Sequence, residues 1–251
     1  MRYFIKFSYL GTEFHGSQRQ PNGITVQETM EQALKMIFRE EVPLIFAGRT
    51  DAGVHAREMY AHMDVGDEAM GREGERLVFR LNGILPNSIA IHDIVPVTDE
   101  AHARFTAKSR TYEYHIVDHK DPFSHDLATR VRPGLDFNAM NEAAKYLIGR
   151  QDFASFCRSN TDVKTTICDL TYAHWEVKEN GHAVFTITAD RFLRNMVRAV
   201  VGTLFEVGRG KMTIEQFAEV ITQHTRTAAG DSAPAEGLYL TQIIYPEDIW
   251  V

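Results

Sequence analysis

The sequence has few cysteines and no long apolar segment. Its 251 residues include only Cys157 and Cys168, so we expect no disulfide framework and a protein of the reducing cytoplasm. No run of about 18 uncharged apolar residues occurs, and Lys6 interrupts the first apolar stretch, so we expect neither a transmembrane helix nor a signal peptide. A formal net charge of −7 argues mildly against a nucleic-acid partner, although an acidic protein can carry a local basic groove.

Motifs for bound cofactors and metals are also missing. The sequence contains no GxxxxGK[ST] or GxGxxG segment for a nucleotide and no GxSxG segment of a serine hydrolase. Its 11 histidines form no HExxH motif, and its two cysteines form no CxxC motif. We therefore expect no cofactor and no metal.

Strand and helix patterns mix without strict alternation along the chain. Residues 2–9 alternate in polarity, which predicts a strand, and apolar positions three and four apart over 25–39 predict a helix. The clearest hairpin pattern is the Asn-Gly pair between the strand-like segments 165–178 and 182–189. These patterns predict an α+β fold with largely antiparallel sheets flanked by helices.

The order of strands and helices repeats after residues 99–103. The second half has a predicted strand over 110–117, helices over 136–148 and 192–207, and a closing strand over 237–245. We therefore predict two similar halves, an N-terminal domain over 1–103 and a C-terminal domain over 104–251. The closing strand is the one segment that we allow to return to the first half.

The densest polar loop, AGRTDAGVHA at residues 47–56, contains Arg49, Asp51 and His55. One interpretation is a tight turn in which Gly53 adopts a positive φ. The alternative is a catalytic loop, because an adjacent guanidinium lowers the pKa of a carboxyl group by about 1–3 units. A fixed, ionised carboxylate can then act as a nucleophile or a base. The spacing alone does not decide between the two.

Basic and aromatic residues alternate in ARFTAKSRTYEY at 103–114. Arg104, Lys108 and Arg110 could follow the phosphates of a nucleic acid, while rings such as Tyr112 could stack on its bases. An ordinary amphipathic strand is the alternative interpretation.

A third polar segment, DRFLRNMVR at 190–198, opens a predicted helix. Arg191, Arg194 and Arg198 are three and four residues apart, which places them on one helix face. A solvated basic face explains Arg191 and Arg194. Arg198 lies among apolar neighbours, where an unpaired guanidinium is costly, so we expect it to pair with a carboxylate and name Asp51 as the partner.

With these segments assembled, the chain resembles the tRNA pseudouridine synthase A family over nearly its whole length. AGRTDAGVHA is similar to the catalytic signature of that family, and HGSQRQ at 15–20 to its N-terminal segment, with Ser17 where the family commonly has Trp. HARFTAKSRTYEY at 102–114, FLRNMVRAVVG at 192–202 and EGLYL at 236–240 resemble three further segments of the family.

The resemblance implies a pseudouridine synthase fold with an active-site cleft between the halves. It implies an isomerase that converts uridine to pseudouridine at positions 38, 39 and 40 of the tRNA anticodon arm, acts as a homodimer and needs no cofactor. Asp51 would be the essential carboxylate and Arg49 would hold the flipped nucleotide. Tyr112 would stack on the uracil, and Arg198 would pair with Asp51. The candidates for contacts with RNA are Arg104, Lys108, Arg110, Arg191, Arg194, Arg209 and Lys211.

Two other function classes stay open. A catalytically silent RNA-binding protein is disfavoured by Arg49 and Asp51, because binding alone does not require a paired carboxylate. A cofactor-free enzyme acting on a small molecule agrees with the acidic net charge but not with the basic and aromatic segments.

Overall fold

The computed structural model describes residues 1–74, 76–158 and 164–251. The chain divides into a first unit, residues 1–108 with 240–251, and a second unit, residues 109–239. Each unit combines mainly antiparallel strands with helices, so the predicted α+β class is confirmed. No helix in the described ranges has the length and hydrophobicity needed to cross a membrane.

The first unit is built on strands β1 (Arg2–Tyr9), β2 (Ile45–Phe46), β3 (His55–Asp64) and β4 (Ile89–Val97). β1 lies between β3 and β4 and is antiparallel to both, and β2 is antiparallel to β3. Because the side chains alternate between the two faces of a strand, the sheet presents a row of buried rings that includes Phe4.

The helices of the first unit are α1 (Val26–Phe38), α2 (Asp67–Glu73) and α3 (Arg76–Ile84). The hydroxyl of Thr25 accepts a hydrogen bond from the Glu28 amide and caps the first turn of α1. This confirms the helix that the apolar spacing over 25–39 predicts. Its buried face packs into the core of the unit.

The second unit contains β5 (Ser109–Val117), β6 (Thr129–Arg130), β7 (Gly149–Asp152), β8 (Ile167–Val177) and β9 (His182–Ala189). β9 lies between β5 and β8, and β7 follows β8, all antiparallel, whereas the short β6 is parallel to β5. The predicted hairpin joins β8 to β9.

That hairpin turns at Asn180 and Gly181, with φ of 57° and 69°. A two-residue turn with positive φ at both positions matches the twist of the flanking strands. Glycine is favoured at position 181 because L side chains rarely adopt a positive φ.

The helices of the second unit are α4 (Phe137–Ala144), α5 (Met196–Gly208) and α6 (Ile214–Thr222), and β10 (Leu238–Ile244) follows them. The prediction of one helix over 136–148 is wrong at its end, since Lys145–Leu147 tightens into a 3₁₀ turn. β10 belongs to the first unit from Leu240 onward, where it lies beside β3.

Candidate active site

Asp51 is half-buried on the loop between β2 and β3. The loop turns at this point, because the Val54 amide donates to the Asp51 carbonyl oxygen at 3.1 Å and Gly53 has a φ of 78°. The tight turn that the sequence predicts is therefore confirmed. A turn and a chemical role are compatible here, since Asp51 remains partly exposed.

The backbone of this loop is anchored to the N-terminal segment of the chain. The Thr50 amide donates to Ser17 Oγ at 2.9 Å, and the Thr50 hydroxyl lies 2.8 Å from the hydroxyl of Tyr9. The Gly11 amide donates to Nδ1 of the buried His55 at 3.0 Å. These contacts fix the chain on both sides of the candidate carboxylate.

Arg49 is exposed, and its Nε donates to the side-chain oxygen of Gln18. Gln18 belongs to the segment 15–20. The contact therefore joins the loop 47–56 to the segment 15–20, and the group that accepts from Arg49 is a neutral amide.

Tyr112 lies on β5 opposite Ile187 and is half-buried. Its ring meets that of Phe192 edge to face, with centroids 5.0 Å apart. Tyr114, two residues along the same face of the strand, is fully buried and its hydroxyl lies 2.7 Å from Thr129 Oγ1. Burial raises the pKa of Tyr114. Of the two tyrosines, Tyr112 is thus the one with accessible ring surface.

Arg198 lies in the first turn of α5 and is half-buried. Its Nε donates to the Ala233 carbonyl oxygen at 2.7 Å, and the Ala233 amide donates back to the Arg198 carbonyl at 2.9 Å. The segment before Ala233 is tied to the same helix, since the Gly230 amide donates to Thr203 Oγ1 at 2.9 Å. Backbone contacts thus orient the Arg198 guanidinium.

The basic residues of the 103–114 segment have different surroundings. Arg104 and Lys108 are exposed, and the guanidinium of Arg104 lies 5.6 Å from the ring centroid of Phe105. Arg110 is half-buried, and its Nη1 donates to the Asp190 carbonyl oxygen at 2.8 Å. This contact ties the start of β5 to the end of β9.

The prediction that Arg191, Arg194 and Arg198 share one helix face is wrong. α5 begins only at Met196, because Asn195 has a left-handed backbone with φ of 66°. Such a residue cannot continue a right-handed helix. Arg191 and Arg194 therefore lie in the segment that leads into α5, and Arg198 alone of the three is on the helix.

The comparisons with known proteins agree with one another. A family model described as tRNA pseudouridine synthase matches residues 143–246. The tRNA pseudouridine synthase A of Parabacteroides distasonis is 52% identical over 99% of this chain and 98% of its own length. The enzyme of that name from Porphyromonas gingivalis is 49% identical over 100% and 99%. The one from Bacillus licheniformis is 37% identical over 98% and 99%.

The chain belongs to the tRNA pseudouridine synthase A family. The resemblance seen in the sequence is confirmed, and with it the prediction of an isomerase that acts on tRNA. A solved structure titled "Crystal Structure of a Cbf5-Nop10-Gar1 Complex" is a more distant likeness. It is 13% identical, with a TM-score of 0.37, over 95% of this chain and 48% of that chain.

The predicted site residues of this tRNA pseudouridine synthase A family member come from both units. Arg49 and Asp51 belong to the first unit, and Tyr112 and Arg198 to the second. The Asp51–Arg198 pair and the cleft therefore stay predictions. Within the described ranges, no group of three or more His, Cys, Asp and Glu side chains could hold a metal ion.

The residues that anchor these groups are not among those that the sequence predicts to be functional. The sequence shows Ser17 only as a departure from the tRNA pseudouridine synthase A pattern, and it predicts no role for Ala233. A usable signal was the pair Gly11 and Gly16, since glycines often mark a close approach of two backbones.

Proposed function

We propose that the protein isomerises uridine to pseudouridine at positions 38, 39 and 40 of the tRNA anticodon arm, with Asp51 as the essential carboxylate and without a cofactor. The observation that carries this proposal is the half-buried carboxylate of Asp51 on a backbone-anchored turn, in a chain of this family. A solvent-facing structural turn would not need its backbone clamped on both sides.

The reaction breaks the bond between N1 of uracil and C1′ of the ribose, turns the base and joins C5 to C1′. The proton on C5 is released and N1 gains one, so no electrons enter or leave. The uridine must first leave its stack, which costs a few kcal/mol. The carboxylate of Asp51 can attack C1′ or C6, or remove the proton on C2′.

Tyr112 and Arg198 are proposed to act on the flipped uridine and on Asp51. An aromatic ring stacked on a base contributes about 1–3 kcal/mol, and Tyr112 has a partly exposed ring for this role. Its hydroxyl is our candidate for relaying the C5 proton. Arg198, oriented by the Ala233 carbonyl oxygen, would pair with Asp51 and keep it ionised.

Arg49 is proposed to occupy the space that the flipped nucleotide leaves. A guanidinium held by the neutral side chain of Gln18 can exchange that partner for a phosphate or a base at little electrostatic cost. The proposed RNA contacts are Arg104, Lys108, Arg110, Arg191 and Arg194, and the active form is proposed to be a homodimer. We place the enzyme in the cytoplasm, with which the small number of cysteines, the buried Cys157 and Cys168, agrees.

The test is the release of tritium from tRNA labelled at C5 of uridine, since pseudouridine formation must release that label. Asp51→Asn should abolish release and leave tRNA binding unchanged. The matched control is Asp93→Asn, an exposed carboxylate on β4, which should release tritium at the wild-type rate. Normal release from Asp51→Asn would remove Asp51 from the mechanism. Sequencing of the product tRNA after chemical labelling of its pseudouridines identifies the modified positions.

A further inference from the structure

We propose that Ser17 is a positioning residue that holds the Asp51 loop in its active geometry; this inference rests on the proposed role of Asp51. Ser17 is fully buried. Its Oγ accepts a hydrogen bond from the Thr50 amide at 2.9 Å, and its own amide donates to the Thr50 carbonyl oxygen at 3.2 Å. One residue therefore pairs with both backbone polar groups of the residue immediately before Asp51.

Ser17 belongs to a segment that contacts the loop at several points, residues 9–17, which we name the N-terminal brace. A Cβ on Gly11 would lie 2.0 Å from the Val54 carbonyl oxygen. At Gly16, which has a φ of 88°, a Cβ would lie 2.9 Å from the Thr50 carbonyl oxygen. Side chains are excluded at both positions, so the brace lies against the loop before and after Asp51.

The brace is itself anchored to the first helix. The Gln27 amide, in the first turn of α1, donates to the Ser17 carbonyl oxygen at 2.9 Å. Ser17 therefore uses all of its polar groups: its amide and hydroxyl bind Thr50 in the loop, and its carbonyl oxygen binds Gln27 in the helix. Helix α1 therefore holds Ser17, and Ser17 in turn holds Thr50.

Removal of the Ser17 hydroxyl should change chemistry more than binding. The Thr50 amide would lose its partner in a buried site, where an unpaired backbone N–H is costly. The loop would shift to recover a partner, and Asp51 would move with it. A displacement of about 1 Å at a reacting group can lower the rate about 100-fold. The affinity for tRNA depends on many separate contacts and would change little.

The experiment compares Ser17→Ala with Ser155→Ala. Ser155 is also fully buried, and its Oγ also accepts a backbone N–H, from Thr225 at 3.1 Å, in the second unit. Each variant should lower the thermal midpoint by about 2–4 °C. Only Ser17→Ala should lower kcat for tritium release, by about 10- to 100-fold, with the Kd for unmodified tRNA unchanged.

The outcomes separate this proposal from the one on which it rests. Wild-type kcat in both serine variants, with Asp51→Asn inactive, would overturn the positioning role alone. An active Asp51→Asn would overturn the proposed function itself. If Ser17→Ala does not fold, Ser17→Cys decides, because a thiol of similar size is only a weak acceptor for the Thr50 amide. It should lower kcat about fivefold, the factor for one neutral hydrogen bond, and an unchanged kcat would overturn the proposal.

Discussion

Mild acid should destabilise the first unit through one buried histidine, His62 on β3. The residue is 2% exposed. Its Nδ1 accepts a hydrogen bond from the Ala103 amide at 3.1 Å, which requires that nitrogen to be unprotonated. Burial, and secondly the positive charge of Arg2, lower the pKa of His62 from 6.5 to about 4. The folded protein therefore resists a proton that the unfolded chain accepts.

The sign and the size of the effect follow from that difference in pKa. Above pH 6.5 the ring is neutral in both states, and the full stability is present. As the pH falls from 6.5 towards 4, the unfolded chain binds a proton that the folded chain does not, and stability is lost. At pH 5 the loss amounts to about 2 kcal/mol, and by pH 4 to about 3 kcal/mol.

Neighbouring groups change the total loss but not its direction. His102, whose ring centroid is 4.6 Å from that of His62, also has a pKa lowered by burial, so it adds to the loss over the same range. The hydrogen bond from Arg2 lowers the pKa of Asp64 below its usual 3.8. That carboxylate therefore loses its stabilising effect only at lower pH.

Urea unfolding at pH 7 and pH 5 tests this reasoning. The wild type should lose about 2 kcal/mol more than His62→Gln between the two pH values, because glutamine keeps a hydrogen-bond acceptor but does not titrate. His174→Gln, at an exposed position on β8, should keep the wild-type dependence. Equal losses in the wild type and in His62→Gln would refute the assignment.

Three further predictions concern packing, chemistry and RNA binding. Gly202→Ala should destabilise the protein by about 1–3 kcal/mol in thermal unfolding, because the added Cβ would lie 1.7 Å from the Asp231 carbonyl oxygen. Gly83→Ala, which meets nothing within 4 Å, should not destabilise it. Tyr112→Phe should keep tRNA affinity and slow tritium release if its hydroxyl relays the C5 proton, whereas unchanged turnover would leave only a stacking role. The affinity for tRNA should fall steeply with salt as phosphate contacts release counterions, and a salt-independent Kd in filter binding would contradict the proposed groove.

The sequence predicted those elements whose signals are local. The helix over 25–39 follows from its apolar spacing, and the structure adds the Thr25 cap; the hairpin follows from the Asn-Gly pair, Asn180 and Gly181. In each case the residues that determine the backbone conformation lie within one turn of the element. Local propensity and tertiary packing agree there, so the prediction needed no knowledge of distant partners.

The sequence predicts the start of α5 too early, because apolar spacing does not show that one residue adopts a left-handed backbone conformation. Phe192 and Met196 keep the spacing of a helix face, yet Asn195 between them is left-handed. Asparagine tolerates that conformation better than most residues, but an asparagine in the sequence does not by itself predict it. What selects it here is tertiary, since Asn195 Nδ2 donates to Ser232 Oγ at 2.6 Å.

The residues that hold the candidate site in place could not be predicted either, because they too act through tertiary contacts. Ser17 and Thr50 are 33 positions apart, and Arg198 and Ala233 are 35 apart. The motif containing Asp51 indicated a candidate for the reacting side chain. It could not indicate which distant backbone groups hold that side chain in place, because such pairings depend on how whole elements pack.

The hydrogen bonds that hold Thr50 and Arg198 bear on the pH dependence of turnover. Ser17 holds Thr50 through a hydroxyl, and Arg198 is oriented by the carbonyl oxygen of Ala233. Neither partner titrates near neutral pH, so these two hydrogen bonds should not change between pH 6 and pH 8. A rate that varies over that interval would then report on the reacting groups or on His55, whose Nδ1 accepts a hydrogen bond from the Gly11 amide.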